Sequence, residues 1–286
     1  MPIYKIQVGA AEVSLECNHP VAAGVEASVF SALLNPASVP AKIHYRILMQ
    51  NGRLILFRQK RPTHRNRQSV RIIYALEWQV VNDLIEQNKT MLKLHGAALS
   101  YQNNGFIFCG APSTGKTSLA ILSMQKGWQL LSDEFALLNT NRQIIPFPRN
   151  LIIKPHLRDR VTIPNGLPVF RLYDDSGDKI ETHYLSPLLF GRVNTGSPVP
   201  LKGIIFLEKN EQPGFDLQPM ARYAGFRLLI QHLFNRNKIG QKWIDYLVDL
   251  LNSCPVYSLK ISSPLELPAT EQQALMEQLT RIHQHD

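Results

Sequence analysis

The sequence predicts an α/β protein in which a helix-flanked mixed sheet carries a glycine-rich loop, preceded by a small β-rich region that ends in a helix. Three observations lead there. Strand-like and helical patterns alternate from Lys93 onward, a G-x4-GK-[ST] signature at Gly110–Thr117 falls between a strand and a helix, and the residues before about 90 carry period-two patterning. With 286 residues, 44% hydrophobic and 19% charged, the chain can bury a full core, which excludes disorder and fibre. That length allows one large domain, or a catalytic domain with an appendage.

In the N-terminal region, Tyr4 to Val8 and Glu12 to Cys17 alternate around Gly9, and Ile43 to Met49 and Leu54 to Phe57 flank Asn51-Gly52. Asn-Gly between two apolar runs is a strong hairpin signal, because both residues tolerate the positive φ that a tight type I′ turn requires. Tyr74 to Asn88 changes to helical spacing, with Leu76, Val80, Val81, Leu84 and Ile85 on one stripe. Beyond it, Leu92 to Leu99, Gly105 to Cys109, Trp128 to Leu131, Asn150 to Lys154, Gly203 to Leu207 and Val256 to Ile261 read as strands. Thr117 to Lys126, Tyr223 to Phe234, Lys242 to Leu251 and Glu271 to His283 read as helices. Pro155 to Pro200, rich in Pro, Gly and Asp, is the least periodic stretch and is expected to be a long, mobile active-site segment.

An excess of 31 Lys and Arg over 22 Asp and Glu gives a formal charge of +9 and predicts attraction to something anionic. Much of it lies between Arg53 and Arg71, where Arg53, Arg58, Lys60, Arg61, Arg65, Arg67 and Arg71 occur with no acid. Only Phe57 is nearby to stack on a base, so nucleic acid is disfavoured; the segment reads as a solvated loop or as one that docks an acidic protein or peptide. Cys17, Cys109 and Cys254 lie far apart with no C-x-x-C pair, which suggests neither a disulfide framework nor a zinc site and fits a reducing cytoplasm. The N-terminus lacks the pattern of a secretion signal, and no apolar run approaches a membrane span.

The chemistry centres on Gly110-Ala111-Pro112-Ser113-Thr114-Gly115-Lys116-Thr117, preceded by the strand Gly105 to Cys109 and followed by the helix that begins with Thr117 and Ser118. Such a loop turns backbone N–H groups onto a β-phosphate at a helix N-terminus. Its lysine, here Lys116, reaches the β and γ phosphates, and the Thr117 hydroxyl ligates Mg2+. These residues therefore form a candidate ATP·Mg2+ site. Sixteen residues after Thr117, an apolar strand delivers Asp133 and Glu134. One acid can hold the metal while the other accepts a proton from the nucleophile. Successive strand residues point to opposite faces, so one of the two should face the γ-phosphate squarely. His95 lies on the strand before the loop strand, where a lone histidine is more often a satisfied core residue than a functional one.

Taken together, His95-Gly96, the Gly110–Thr117 loop and Lys126-Gly127-Trp128 running into Leu131-Ser132-Asp133-Glu134 resemble, in order and spacing, the catalytic core of HPr kinase/phosphorylase. Leu76-Glu77-Trp78, Gly127-Trp128 and Pro146-Phe147-Pro148-Arg149 with Lys154 look like the HPr-kinase-related kinases, a subfamily of P-loop serine kinases. The likeness covers Tyr74 to Lys154 well and the remainder in outline. It implies a P-loop kinase core at residues 91–286 behind a β-rich region at residues 1–90. It also implies that Asp133 or Glu134 is the base toward a serine hydroxyl, that His95 supports that acid, and that Arg149 and Lys154 stabilise the transferring phosphoryl group. In that assignment Asp133 is the base and Glu134 joins Thr117 at the metal. Three departures set the chain apart from enzymes that act on HPr: the loop reads GAPSTGKT where they have GDSGxGKS, their glycine-rich segment after the acidic pair is replaced by PFPRNLIIK, and the N-terminal region is unlike theirs.

The expected activity is transfer of the γ-phosphoryl group of ATP to a serine of a protein or peptide, with an HPr-like protein or a lasso-peptide precursor as acceptors that the resemblance suggests. A small-molecule hydroxyl kinase and a nucleotide-sensing binding module are the competing readings. The resemblance also suggests a homo-oligomer, a ring of six.

Overall fold

The computed structural model describes residues 2–17, 29–166, 169–173, 179–234 and 240–282. In chain order its elements begin with β1 (Ile3–Val8), β2 (Ala11–Cys17), β3 (Asn35–Ala37), β4 (His44–Gln50), β5 (Arg53–Arg58), β6 (Arg61–Asn66) and helix α1 (Ser69–Gln87). Then follow β7 (Leu92–Tyr101), β8 (Asn104–Gly110), α2 (Lys116–Gln125), β9 (Gln129–Ser132), β10 (Phe135–Leu138) and β11 (Gln143–Ile145). The chain continues through β12 (Leu151–Ile153), β13 (Phe170–Tyr173), β14 (Lys179–Leu185), β15 (Arg192–Val193), β16 (Val199–Lys209) and β17 (Phe215–Pro219). It ends with α3 (Arg222–Gln231), α4 (Gln241–Ser253), β18 (Val256–Ile261) and α5 (Ala269–Arg281). The fold is mixed α/β.

Two compact units result, and the first is discontinuous: Met1–Lys89 with Arg149–Leu189 form one, and Thr90–Pro148 with Phe190–Asp286 form the other. The break near residue 90 is where the patterning changes in sequence. The segment from Arg149 to Leu189 belongs with the first unit, however, and not with the loop-bearing one to which a boundary at 91–286 assigned it.

In the first unit a six-stranded sheet has the order β3-β1-β2-β4-β5-β6. The β4–β5 hairpin turns on Asn51 and Gly52, both at positive φ (49° and 69°), as the Asn-Gly pair predicts. Helix α1 starts five residues before Tyr74, because Ile72 and Ile73 extend the same apolar stripe. It buries Ile72, Leu76, Val80 and Leu84 at 0% exposure and packs on β2, β5 and β6. Full burial of each such side chain is worth roughly 1.5–3 kcal/mol. Arg61–Asn66, expected as part of a loop, is strand β6; it is the exposed edge of the sheet, so it has no apolar alternation to betray it. Pro155 to Pro200 is likewise more ordered than its composition suggests. Its described part holds a 3-10 helix at Pro155–Arg160, strand β13, and strand β14 seated between β12 and β13; residues 167–168 and 174–178 of that stretch lie outside the described residues.

In the second unit, parallel β8, β16 and β18 lie side by side, and antiparallel β7 flanks β8. Strand β7 is long enough to serve three neighbours: residues 96–101 pair with β8, Ala98–Ser100 also pair with β9, and Leu92–His95 pair with β10. Because β10 pairs with β11 and β11 with the start of β16, the pairing closes on itself around a core that includes Leu94, Ile107, Ala136, Ile144 and Ile204, all at 0% exposure. The expected final helix, Glu271 to His283, runs instead from Ala269 to Arg281, and His283 lies outside the described residues. No described helix is long and apolar enough to cross a membrane.

Candidate phosphoryl-transfer site

The loop Gly110–Lys116 joins the C-terminal end of β8 to the N-terminus of α2, so it stands at the carboxyl edge of parallel β8 and β16. That edge is where open α/β sheets place their ligands. Two loop residues take left-handed backbone: Ser113 at φ 63° and Gly115, the N-cap, at φ 98°. Gly115 needs its freedom there, because a side chain at that φ is strained and its Cβ would also come within 3.3 Å of Pro264. The α2 N-cap makes no side-chain capping hydrogen bond and the first turn holds no acid, so its backbone dipole presents positive charge to the loop. Lys116 Nζ folds across the loop and donates to the carbonyls of Gly110 (2.6 Å) and Ala111 (2.9 Å).

The next residue, Thr117, donates its hydroxyl to Asp133 Oδ2 at 3.0 Å. The expected partner of Thr117 was Glu134. The strand-end alternation has the opposite phase: Asp133 faces α2, whereas Glu134 uses its backbone carbonyl to accept from Gly96 N–H at 3.1 Å. That bond ties the acidic pair to the His95-Gly96 strand. Gly96 is itself required by close approach, since a Cβ would sit 2.8 Å from the Phe108 carbonyl. Immediately beyond the acids, Phe135 is the register partner of His95, so His95 and the acidic pair share one end of the β7–β10 ladder.

His95 also meets a residue that sequence reading did not single out. Its backbone N–H donates to the His232 carbonyl at 2.7 Å, and its ring packs edge-on against Phe234 with centroids 5.8 Å apart. The His232 imidazole is held well below its ordinary range, to about 4, first by burial and then by the neighbouring charges of His95 and Lys116. Buried beside the Lys116 ammonium, His232 is neutral at physiological pH. Nothing local marks it, because it follows helix α3 far along the chain and reaches β7 through the Leu94–Leu233 bridge. The Cys109 thiol, at the foot of the loop, is pushed up to about 12 by complete burial, with Lys116 opposing, and so stays protonated.

Arg149 and Lys154 belong to the first unit. Arg149 is almost fully buried and its Nη1 donates to Glu77 Oε1 at 2.6 Å, while the Tyr184 hydroxyl donates to Glu77 Oε2 at 2.7 Å. Its charge is thus matched by a carboxylate on α1. Lys154 is part-buried and precedes the 3-10 helix Pro155–Arg160. The structure brings together His95, Lys116, Thr117 and Asp133, with the backbone of Glu134, in the second unit.

A Mg2+ ion takes hard oxygen ligands and keeps waters and phosphate oxygens in the rest of its octahedron. One hydroxyl and one carboxylate in contact at the start of α2, Thr117 and Asp133, suit that demand. Among the described residues there is no cluster of three or more His, Cys, Asp or Glu that would form an all-protein metal cage.

No protein-family model matches the chain, and no curated protein matches it. Among solved structures, the Hpr(Ser) kinase/phosphatase from Coxiella burnetii is similar at a TM-score of 0.30 and 18% identity, over 67% of this chain and 95% of that one.

Proposed function

We propose that the protein is an ATP-dependent kinase that transfers the γ-phosphoryl group to a serine hydroxyl of a protein or peptide. The observation that carries this reading is the meeting of Lys116, Thr117 and Asp133 at a strand–loop–helix junction, with Thr117 Oγ1 3.0 Å from the carboxylate. In the proposed reaction the loop N–H groups and the α2 N-terminus bind the β-phosphate. Lys116 exchanges its two loop carbonyls for phosphate oxygens and offsets their charge. Thr117 and Asp133 hold Mg2+, which when bound neutralises charge on the phosphates. Glu134, the acid not turned toward Thr117, takes the proton of the serine hydroxyl. The serine oxygen then bonds to the γ-phosphorus as the bond to the β–γ bridging oxygen breaks, and ADP leaves. His95, backed by neutral His232, is proposed to support the acids electrostatically. The serine acceptor rests on the sequence resemblance, and the acidic pair is what a hydroxyl acceptor of any kind requires.

Incubation with γ-labelled ATP and lysate proteins tests this. Label should pass to a protein, and Lys116→Ala, Asp133→Asn and Glu134→Gln should each cost about a hundredfold or more in rate, the scale of a lost proton acceptor or charge clamp. Asp133→Asn should also raise the Mg2+ concentration needed for half-maximal rate, while Glu134→Gln should leave it unchanged. ATP binding with no transfer to any acceptor would make the site a nucleotide-sensing module and defeat the kinase reading.

A further inference from the structure

The phosphate loop does not account for where the positive charge is densest. In the first unit, Arg53, Arg65, Arg67 and Arg71, with Asn66 and Gln68, line an open cleft of about 550 Å³. The register explains how four guanidinium groups come together. Ile55 is opposite Arg65 and Leu54 opposite Asn66, so Arg53 and Arg67 flank the same end of the β5–β6 ladder. Residues 53 and 55 share one face of β5 and Arg65 is opposite Ile55, which puts Arg53 and Arg65 on one side of the hairpin, while Arg67 follows in the bend where β6 ends. Arg71 joins from the first turn of α1, its Nε donating to Gln68 Oε1 at 3.0 Å. The Gln68 N–H is held in turn by Asn66 Oδ1 at 2.9 Å, which fixes the start of the helix over the cleft.

Among the described residues, none of the four cleft arginines has a carboxylate within ion-pair distance. Their neighbour Arg58 differs: it binds Asp83 through Nε and Nη2, both at 2.8 Å, and is spoken for. Like charges gathered in one place repel one another, so the cleft lowers stability unless an anion enters.

We propose that this cleft is a docking site for an acidic peptide segment of a partner protein. Charge complementarity requires an anion, and three features of the cleft narrow its class. No aromatic side chain lines it, so it lacks the stacking surface that single-stranded nucleic acid uses. It is open rather than enclosing, unlike the pockets that bury most of a small ligand. Arg53 and Arg65 stand diagonally across the ladder, about 7 Å apart, and alternate carboxylates of an extended peptide repeat at about 7 Å, within reach of flexible guanidinium forks.

The test is fluorescence anisotropy on the full chain, using a labelled peptide of about ten residues with Glu at every second position. An oligonucleotide of equal charge and inorganic pyrophosphate serve as competitors. The peptide should bind in a salt-sensitive manner. Arg65→Gln with Arg67→Gln, and separately Arg53→Gln with Arg71→Gln, should weaken it about tenfold or more, the effect of losing one or two charge-assisted hydrogen bonds. Unfolding midpoints should be unchanged or raised by these substitutions, since they relieve like-charge crowding. Peptide affinity that survives both variants would overturn the proposal, as would an oligonucleotide or pyrophosphate that binds more tightly than the peptide. Binding of a fluorescent ATP analogue, unaffected by the same variants, separates this cleft from the loop of the other unit.

Discussion

His232 shows how a residue without a motif shapes a site. Buried beside His95 and Lys116, it keeps its imidazole neutral down to about pH 4, whereas in the unfolded chain it takes up a proton near 6.5. Between those values the unfolded state binds more protons, so the stability that neutral His232 provides is complete above about pH 6.5 and is lost as pH falls toward 4. Urea midpoints measured from neutral to acid pH should fall across that window, and His232→Gln should flatten the fall. A residual slope is expected from His183, whose imidazole is also lowered by burial and by Arg158. An equally steep fall in the variant would mean that His232 is not the titrating group. In sequence, Lys116 and Thr117 were legible because they stand in a contiguous motif, and Lys116 has its partners within that loop. The choice between Asp133 and Glu134 was not, since it turns on the phase of a strand end.

Hairpins are the elements that local chemistry specifies best. Asn51-Gly52 encodes its turn outright, and Gln102 and Asn103, both at positive φ (48° and 65°), make the equivalent turn between β7 and β8 without any glycine. The first was readable and the second was not, because Gln-Asn lacks the composition that marks a tight turn. At Gly52 no atom lies within 4 Å of where a Cβ would stand, so Gly52→Ala isolates the backbone cost of φ 69°. It should lower stability by about 1 kcal/mol with no change in packing, measurable by chemical denaturation. A neutral result would mean that the turn relaxes to another type. Helix α1 and strands β7, β8, β9, β16 and β18 were legible from their apolar residues, whereas short β10, β11 and β15 and polar β6, β13–β14 and β17 were not. Polar strands are held by ladder hydrogen bonds and register, which leave little trace in composition.

At the scale of the whole molecule, the first unit is assembled from two separated stretches of chain, and the Glu77–Arg149–Tyr184 cluster joins them inside it. Arg149→Met would leave Glu77 as a buried carboxylate without its countercharge, and should cost about 3–5 kcal/mol of stability; Glu77→Gln with Arg149→Met should recover much of that. If denaturation shows the single variant to be neutral, the cluster does not hold the unit together. By itself the sequence determined the α/β class, the change of patterning near residue 90, and the loop with its strand, helix and following acids. Each is encoded by contiguous residues whose backbone preferences and spacing act locally. Only the tertiary structure decided that Arg149–Leu189 belongs with the first unit, that Asp133 meets Thr117, that Arg149 is matched by Glu77, and that four arginines converge on one cleft. Those outcomes depend on strand register and on contacts between residues remote in the chain, where pairing energy and not local propensity selects the partner.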